Sequence, residues 1–202
     1  MPTVIERLQA EHGSLGRLVQ LLDGERSLRT DPGAPHIALL VDTLYYLTRF
    51  PDVTHHAIED RIAETLRGKN ALPDGIAREI KAQHATLISQ GHELLQDLEA
   101  AAREENMSQE LVEIHVRLYA ERLRHNMIVE ELILFPAAAR HLDDDDWHAI
   151  ELADGGGQPD PLFGGPVDER FAQLQRVITL EQAAMAIIEA ESKEQPARRL
   201  PY

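Results

Sequence analysis

FPDVTHHAIED, residues 50–60, decides the reading of this chain. It sets His55 four residues before Glu59, in a run whose other inward positions are apolar. Two potential metal ligands one helical turn apart on a buried face are poorly explained as packing, because a buried carboxylate without a cation is costly or takes up a proton. The stretch predicts one helix of a bundle that holds a non-haem metal pair, iron by preference. The remaining sequence is read outward from it for further ligands.

The 202 residues suit one medium domain, or a smaller domain with a helical extension. A hydrophobic fraction of 43% supports a core, and 4% aromatics with abundant Ala, Leu, Ile, Glu and Arg favours helix over sheet. The net charge of −15 argues against nucleic acid as a partner. No apolar run is long enough to cross a membrane, and the charged, amphipathic start MPTVIERLQAEH is unlike a signal peptide. With no cysteine, disulfides, thiolate zinc sites and cysteine-bound iron–sulfur clusters are excluded. A cytoplasmic protein is expected, its metal held by His and carboxylate.

Periodicity predicts helices over 3–22, 36–68, 74–104 and from Ser108, as N-cap, to about 142. Thr3 and Glu6 have the spacing of a capping box, and Pro51 predicts a kink just before the histidines. Loops are expected over 23–35 and at 106–108. The aspartates 143–146 lack the Gly and closing Glu of a calcium loop and predict the start of a short helix, 146–152. A Gly-Pro linker over 154–166, a last helix over 167–193 and a loose tail complete the chain. The fold class is thus all-α, with an up-down four-helix bundle over 1–142. Residues 143–202 form a C-terminal helical extension, expected to pack on the bundle or on a second subunit.

Each main helix places one histidine on its apolar stripe: His12, His55, His84 and His125. One such histidine alone is most simply a core residue with a hydrogen-bond partner. Four at matching heights of a bundle converge, as in metal sites built in bundle cores. His125 falls at heptad intervals with Leu111, Leu118 and Leu132. Glu59 is about 40° round an ideal helix from His55. Glu130 is five residues after His125 and about 140° away, so a π-type bulge is expected to bring it round; Glu131 is the other candidate. His56 is expected at the edge of the core or in solvent, and His36, His92, His115, His141 and His148 elsewhere. Either Tyr45 or Tyr46 could line the pocket, though both also suit packing. There is no phosphate-binding, dinucleotide or nucleophile-elbow motif.

The order E-H in helix 1, F-P-x-x-x-H-H-x-x-E in helix 2, a lone His in helix 3 and H-x-x-x-x-E-E-x-x-L-F-P in helix 4 resembles the hemerythrin-like HHE cation-binding family over residues 1–142. The segment Asp160 to Gly164 is also similar to the downstream part of bacterial members. The resemblance implies a four-helix bundle with two irons joined by carboxylates and an oxo or hydroxo bridge; Mn or Zn would also suit the donors. It makes His12, His55, His84 and His125 ligands and Glu59 and Glu130 the bridging carboxylates. Classical members have a second helix-3 histidine where this chain has Ile88, which leaves a coordination position for O2, NO or peroxide. Three functions are implied as expectations: binding or sensing of such a small ligand, enzymatic removal of peroxide or NO or aid to iron–sulfur repair, or a structural or iron-sensing bundle. A homodimer is possible; a nucleic-acid or membrane partner is not expected.

Overall fold

The computed structural model describes residues 3–23, 35–103, 109–154 and 160–194. The loop expected at 24–34, the Ser108 cap, the glycines 155–157 and the tail 195–202 lie outside the described residues. All regular elements among those described are helical: α1 (Val4–Asp23), α2 (Pro35–Arg49), α3 (His55–Gly68), α4 (Ile76–Ala102), α5 (Gln109–Val129), a π segment (Glu130–Leu134), α6 (Phe135–His141), α7 (Asp144–Asp154), a 3-10 turn (Glu169–Phe171) and α8 (Ala172–Glu194). No described helix is long and apolar enough to cross a membrane.

The start of α1 is set by a reciprocal cap. Thr3 N–H donates to Glu6 (2.6 Å) and Glu6 N–H to the Thr3 hydroxyl (3.2 Å), satisfying donors that a helix N-terminus otherwise leaves orphaned. The aspartate run does the same for α7, which starts at Asp144 rather than 146. Asp143 and Asp146 exchange backbone-to-carboxylate bonds of 3.0 and 3.1 Å. Lys69, just past α3, pairs with both carboxylates. Asp143 and Asp146 thus form a helix cap tied to a neighbouring helix end.

Pro51 breaks the long second helix instead of kinking it. Lacking an N–H, it leaves the Leu47 carbonyl to Asp52 N–H (3.4 Å), and His56 N–H reaches back five residues to Pro51 (3.1 Å). Two such wide turns separate α2 from α3. The inward stripe nevertheless survives the break, since Leu40, Leu44, Thr48, Pro51, His55, Ile62 and Leu66 are all buried.

Helices α1 and α5, α4 and α5, α2 and α4, and α3 and α4 pack against one another around two apolar clusters. One contains Leu15, Leu44, Leu47, Leu87 and Leu123; the other contains Leu8, Ile62, Ile80, Leu134 and Phe135. The polar layer lies between them. His12 stands between Leu8 and Leu15, His84 between Ile80 and Leu87, and Glu130 between Leu123 and Leu134. Phe171, Leu174 and Ile178 are buried in the first cluster, and Arg170 pairs with Asp42 (3.3 Å) while lying 3.4 Å above the Tyr45 ring.

At Gly91, α2, α4 and α5 meet too closely for a side chain. A Cβ there would lie 2.8 Å from Thr48 Cγ2 and 3.2 Å from Tyr119 Cε2. Gly91→Ala is expected to destabilise the protein by about 1–3 kcal/mol in chemical denaturation, the range for overpacked cores.

Candidate metal centre

Six polar side chains meet in the layer between the two clusters: His12, His55, His56, Glu59, His84 and Glu130, each no more than 4% exposed. His12 comes from α1, His55, His56 and Glu59 from α3, His84 from α4, and Glu130 from the first position of the π segment that follows α5. Glu59 touches three rings. Its Oε1 is 3.0 Å from His55 Nε2 and 3.3 Å from His12 Nε2, and its Oε2 is 3.6 Å from His84 Nε2. Glu130 repeats the pattern, with Oε1 2.9 Å from His84 Nε2 and Oε2 3.4 Å from His12 Nε2. The imidazoles thus fall into pairs. Rings of His56 and His84 stack at 4.1 Å, and those of His12 and His55 lie 5.0 Å apart.

The helical phase of α3 explains why one carboxylate serves both pairs. Glu59 is four residues after His55 and three after His56, hence about 40° from one and about 60° from the other. It sits angularly between two adjacent histidines that diverge by about 100°. His56, expected at the core edge, is instead buried and aimed at the opposite half of the layer from His55. The signal for this is present in the spacing: an acid three and four residues from two adjacent histidines can address both.

His125 does not join the centre. It is exposed, on the surface beside Glu79, Gln83 and Arg122. The inward row of α5 is Val112, Val116, Tyr119, Leu123 and Asn126, continued by Glu130 at the start of the π segment, all buried, with steps of three or four. The heptad row that contains His125 faces outward, and its Leu111, Leu118 and Leu132 are 55, 50 and 72% exposed. Asn126 takes the inward place and donates to Glu130 Oε1 (2.7 Å). A π segment is present, but it begins at Glu130, with Phe135 N–H bonded to the Glu130 carbonyl. It therefore reorients the residues beyond Glu130 and does not bring Glu130 toward His125. Glu131 is outside the layer, its side chain 47% exposed.

A second ring of carboxylates orients the imidazoles. His12 Nδ1 donates to Glu131 (3.0 Å), His55 Nδ1 to Glu11 (2.6 Å) and His84 Nδ1 to Asp60 (2.9 Å). His56 Nδ1 lies 3.2 Å from Asp52. A carboxylate can only accept, so each of the three bonded Nδ1 atoms carries the proton and each Nε2 is left facing the centre. Glu11, Asp60 and Glu131 each neighbour a member of the centre in sequence, yet each holds a histidine of another helix.

The charge balance is set by this geometry. For His12, burial is the largest influence and opposes the charged form, but hydrogen bonds to Glu130 and Glu59 and their charges together outweigh it and push the pKa up to about 10. His55 and His84 are likewise opposed by burial yet pushed up to about 9, His55 by the charge of Glu59 and the bond to Glu11, His84 by bonds to Asp60 and Glu130. Burial alone would raise Glu59, but the charge of His55 and bonds to His12 and His55 hold it well below the usual carboxylate range.

The residues fit a metal pair. His55 Nε2, Glu59 Oε2 and Glu130 Oε2 are buried and make no well-aligned hydrogen bond, their nearest partners standing 3.0 to 3.6 Å away, and such a group costs about 1–3 kcal/mol when nothing satisfies it. Two groups of donors each lie within 4.8 Å of one another: His12, His55 and Glu59, and His56, Glu59 and His84. Bonds of about 2.1 Å place neighbouring donors about 3.0 Å apart in an octahedron and about 3.4 Å apart in a tetrahedron. The separations of 2.9 to 3.6 Å around Glu59 and Glu130 bracket those two values.

No curated protein and no solved structure matches the chain. A family model does: that of the hemerythrin HHE cation-binding domain, over residues 3–138. The match runs from α1 into α6 and so covers every member of the centre, and the His and Glu groups there could hold a metal. On that match, which covers well over half of its 202 residues, the chain belongs to the hemerythrin HHE cation-binding domain family.

Proposed function

We propose that the centre holds two non-haem iron ions and binds or senses O2, NO or peroxide. One ion would be held by His12 and His55, the other by His56 and His84, with Glu59 and Glu130 shared between them. The observation that carries the reading is the division of four imidazoles into two pairs about two fully buried carboxylates. Iron in such a mixed N/O set supplies a redox-active Lewis acid open to small oxidants and to NO. The chain's own part is to orient and to enclose. Glu11, Asp60 and Glu131 fix three rings with Nε2 inward, and the apolar clusters on either side exclude bulk water.

Metal analysis of purified protein, followed by optical spectra of the iron-loaded form with O2, NO and H2O2, tests this. A stable spectral change supports binding or sensing, whereas sustained peroxide consumption replaces it with an enzyme. Less than about one metal per chain, with stability unchanged by a chelator, overturns the centre itself. The assignment of ligands has its own test. His56→Ala is expected to lower bound iron from about two ions to about one per chain, while His125→Ala leaves it at about two.

A further inference from the structure

A chamber of about 590 Å³ opens on the outer side of His55, between α1, the 50–54 break and the segment at Asp160. We infer that this chamber is a binding site for a compact organic anion, with a carboxylate-type head held by Arg49 and an apolar body lying beside the Glu11–His55 pair. The inference deepens the proposed function, since it rests on that reading for its consequence at the metal but not for the binding itself.

Three observations point to this ligand class. The volume lies within the range of about 300–1,000 Å³ typical of organic-ligand sites and far exceeds what a diatomic molecule needs. The walls include Leu15, Phe50 and Ile58, which suit an apolar body. The wall carries the cations Arg7 and Arg49 beside the acids Glu11 and Asp160, and the anionic head is assigned to Arg49. Glu11 is engaged by His55 Nδ1 at 2.6 Å, and Asp160 accepts from the Tyr46 hydroxyl (2.6 Å) and from the backbone N–H groups of Leu162 and Phe163 (2.7 and 2.8 Å). Both carboxylates are thus occupied. Arg49 is exposed, lies 5.4 Å from the Tyr45 ring and makes no ion pair among the described residues, so its guanidinium N–H groups are left to donate to a carboxylate. With the centre's side chains 4% exposed or less, the occupant would touch the outer edge of His55 and Glu11, and would act on the metal only through them.

Binding of 4-(trifluoromethyl)benzoate, followed by 19F NMR on the full-length protein, tests the inference. The expected result is a saturable shift, weakened roughly tenfold in Arg49→Gln by loss of a charge-assisted bond and abolished in Ser14→Trp, which fills the chamber from its half-exposed edge. Circular dichroism and metal content verify that both variants remain folded and loaded. Iron-loaded protein is also expected to broaden the bound signal more than zinc-loaded protein. No saturable shift at millimolar probe, or equal binding by both variants, overturns the chamber while leaving a loaded iron centre intact. Binding by a protein that holds no metal at all leaves the chamber standing and removes the proposed centre.

Discussion

Glu59→Gln is expected to empty both halves of the metal centre and to destabilise the metal-free protein by about 3 kcal/mol, the lower end of the range for a broken buried ion pair. Glu59 is fully buried and stands within 3.6 Å of Nε2 of His55, His12 and His84. The amide that replaces it carries no charge and offers one oxygen where the carboxylate offers two, so it can neither bridge two cations nor balance three imidazoles held in their charged form. Glu131→Gln gives the contrast. Its side chain is 47% exposed and has only to accept from His12 Nδ1, which an amide oxygen also does, so both metals should stay bound. Metal content of the two variants, with urea unfolding of the metal-free forms, decides the matter. Retention of two metals by Glu59→Gln, or a change in its stability within about 0.5 kcal/mol, would show that Glu59 is neither bridge nor counter-charge.

Residues one turn apart on a stripe are the legible part of the site. His12, His55, Glu59 and His84 interrupt otherwise apolar rows, and a period of 3.6 fixes which way each points without knowledge of its neighbours. The differences between expectation and structure all involve a choice the period leaves open. Leu111, Leu118, His125 and Leu132 do share one face of α5, but whether that face is inside depends on what packs there, and the competing row through Asn126 and Glu130 is the buried one. Asn126 carries no ligand signature, so nothing in its chemistry draws attention to that row. His56 is misplaced by any reading that gives α3 a single inward direction, whereas a centre with two halves has two. Pro51 announces a disturbance, but its form, a break with two five-residue bonds, depends on which carbonyls find donors. The caps at Thr3 and Asp143 are local in sequence, and the first is readable for that reason. The orienting acids Glu11, Asp60 and Glu131 act across helices, and only the packed bundle reveals which ring each one holds.

Raising the pH is expected to destabilise the metal-free protein and to widen the difference in melting temperature between it and zinc-loaded protein. His12, His55 and His84 have folded-state values pushed up to about 10, 9 and 9 from an unfolded 6.5. The folded state therefore holds protons that the unfolded chain releases above pH 6.5. The stabilisation is present in full below that pH and is lost as pH rises through 9 to 10, and for one histidine raised to about 9 it amounts to about 3 kcal/mol. Glu59 works in the opposite sense: its value is depressed, so its contribution is present above the unfolded 4.5 and is lost only as pH falls toward the lower folded value. Metal-free protein should thus be most stable between about pH 4.5 and 6.5. Metal reverses the alkaline trend, because neutral imidazoles are the ligands and the cations take over the balancing of Glu59 and Glu130. Calorimetric melts of both forms at about pH 6 and about pH 8.5 measure the difference. A gap that stays constant or narrows would mean that the three imidazoles keep their protons whether or not metal is bound, and so are not its ligands.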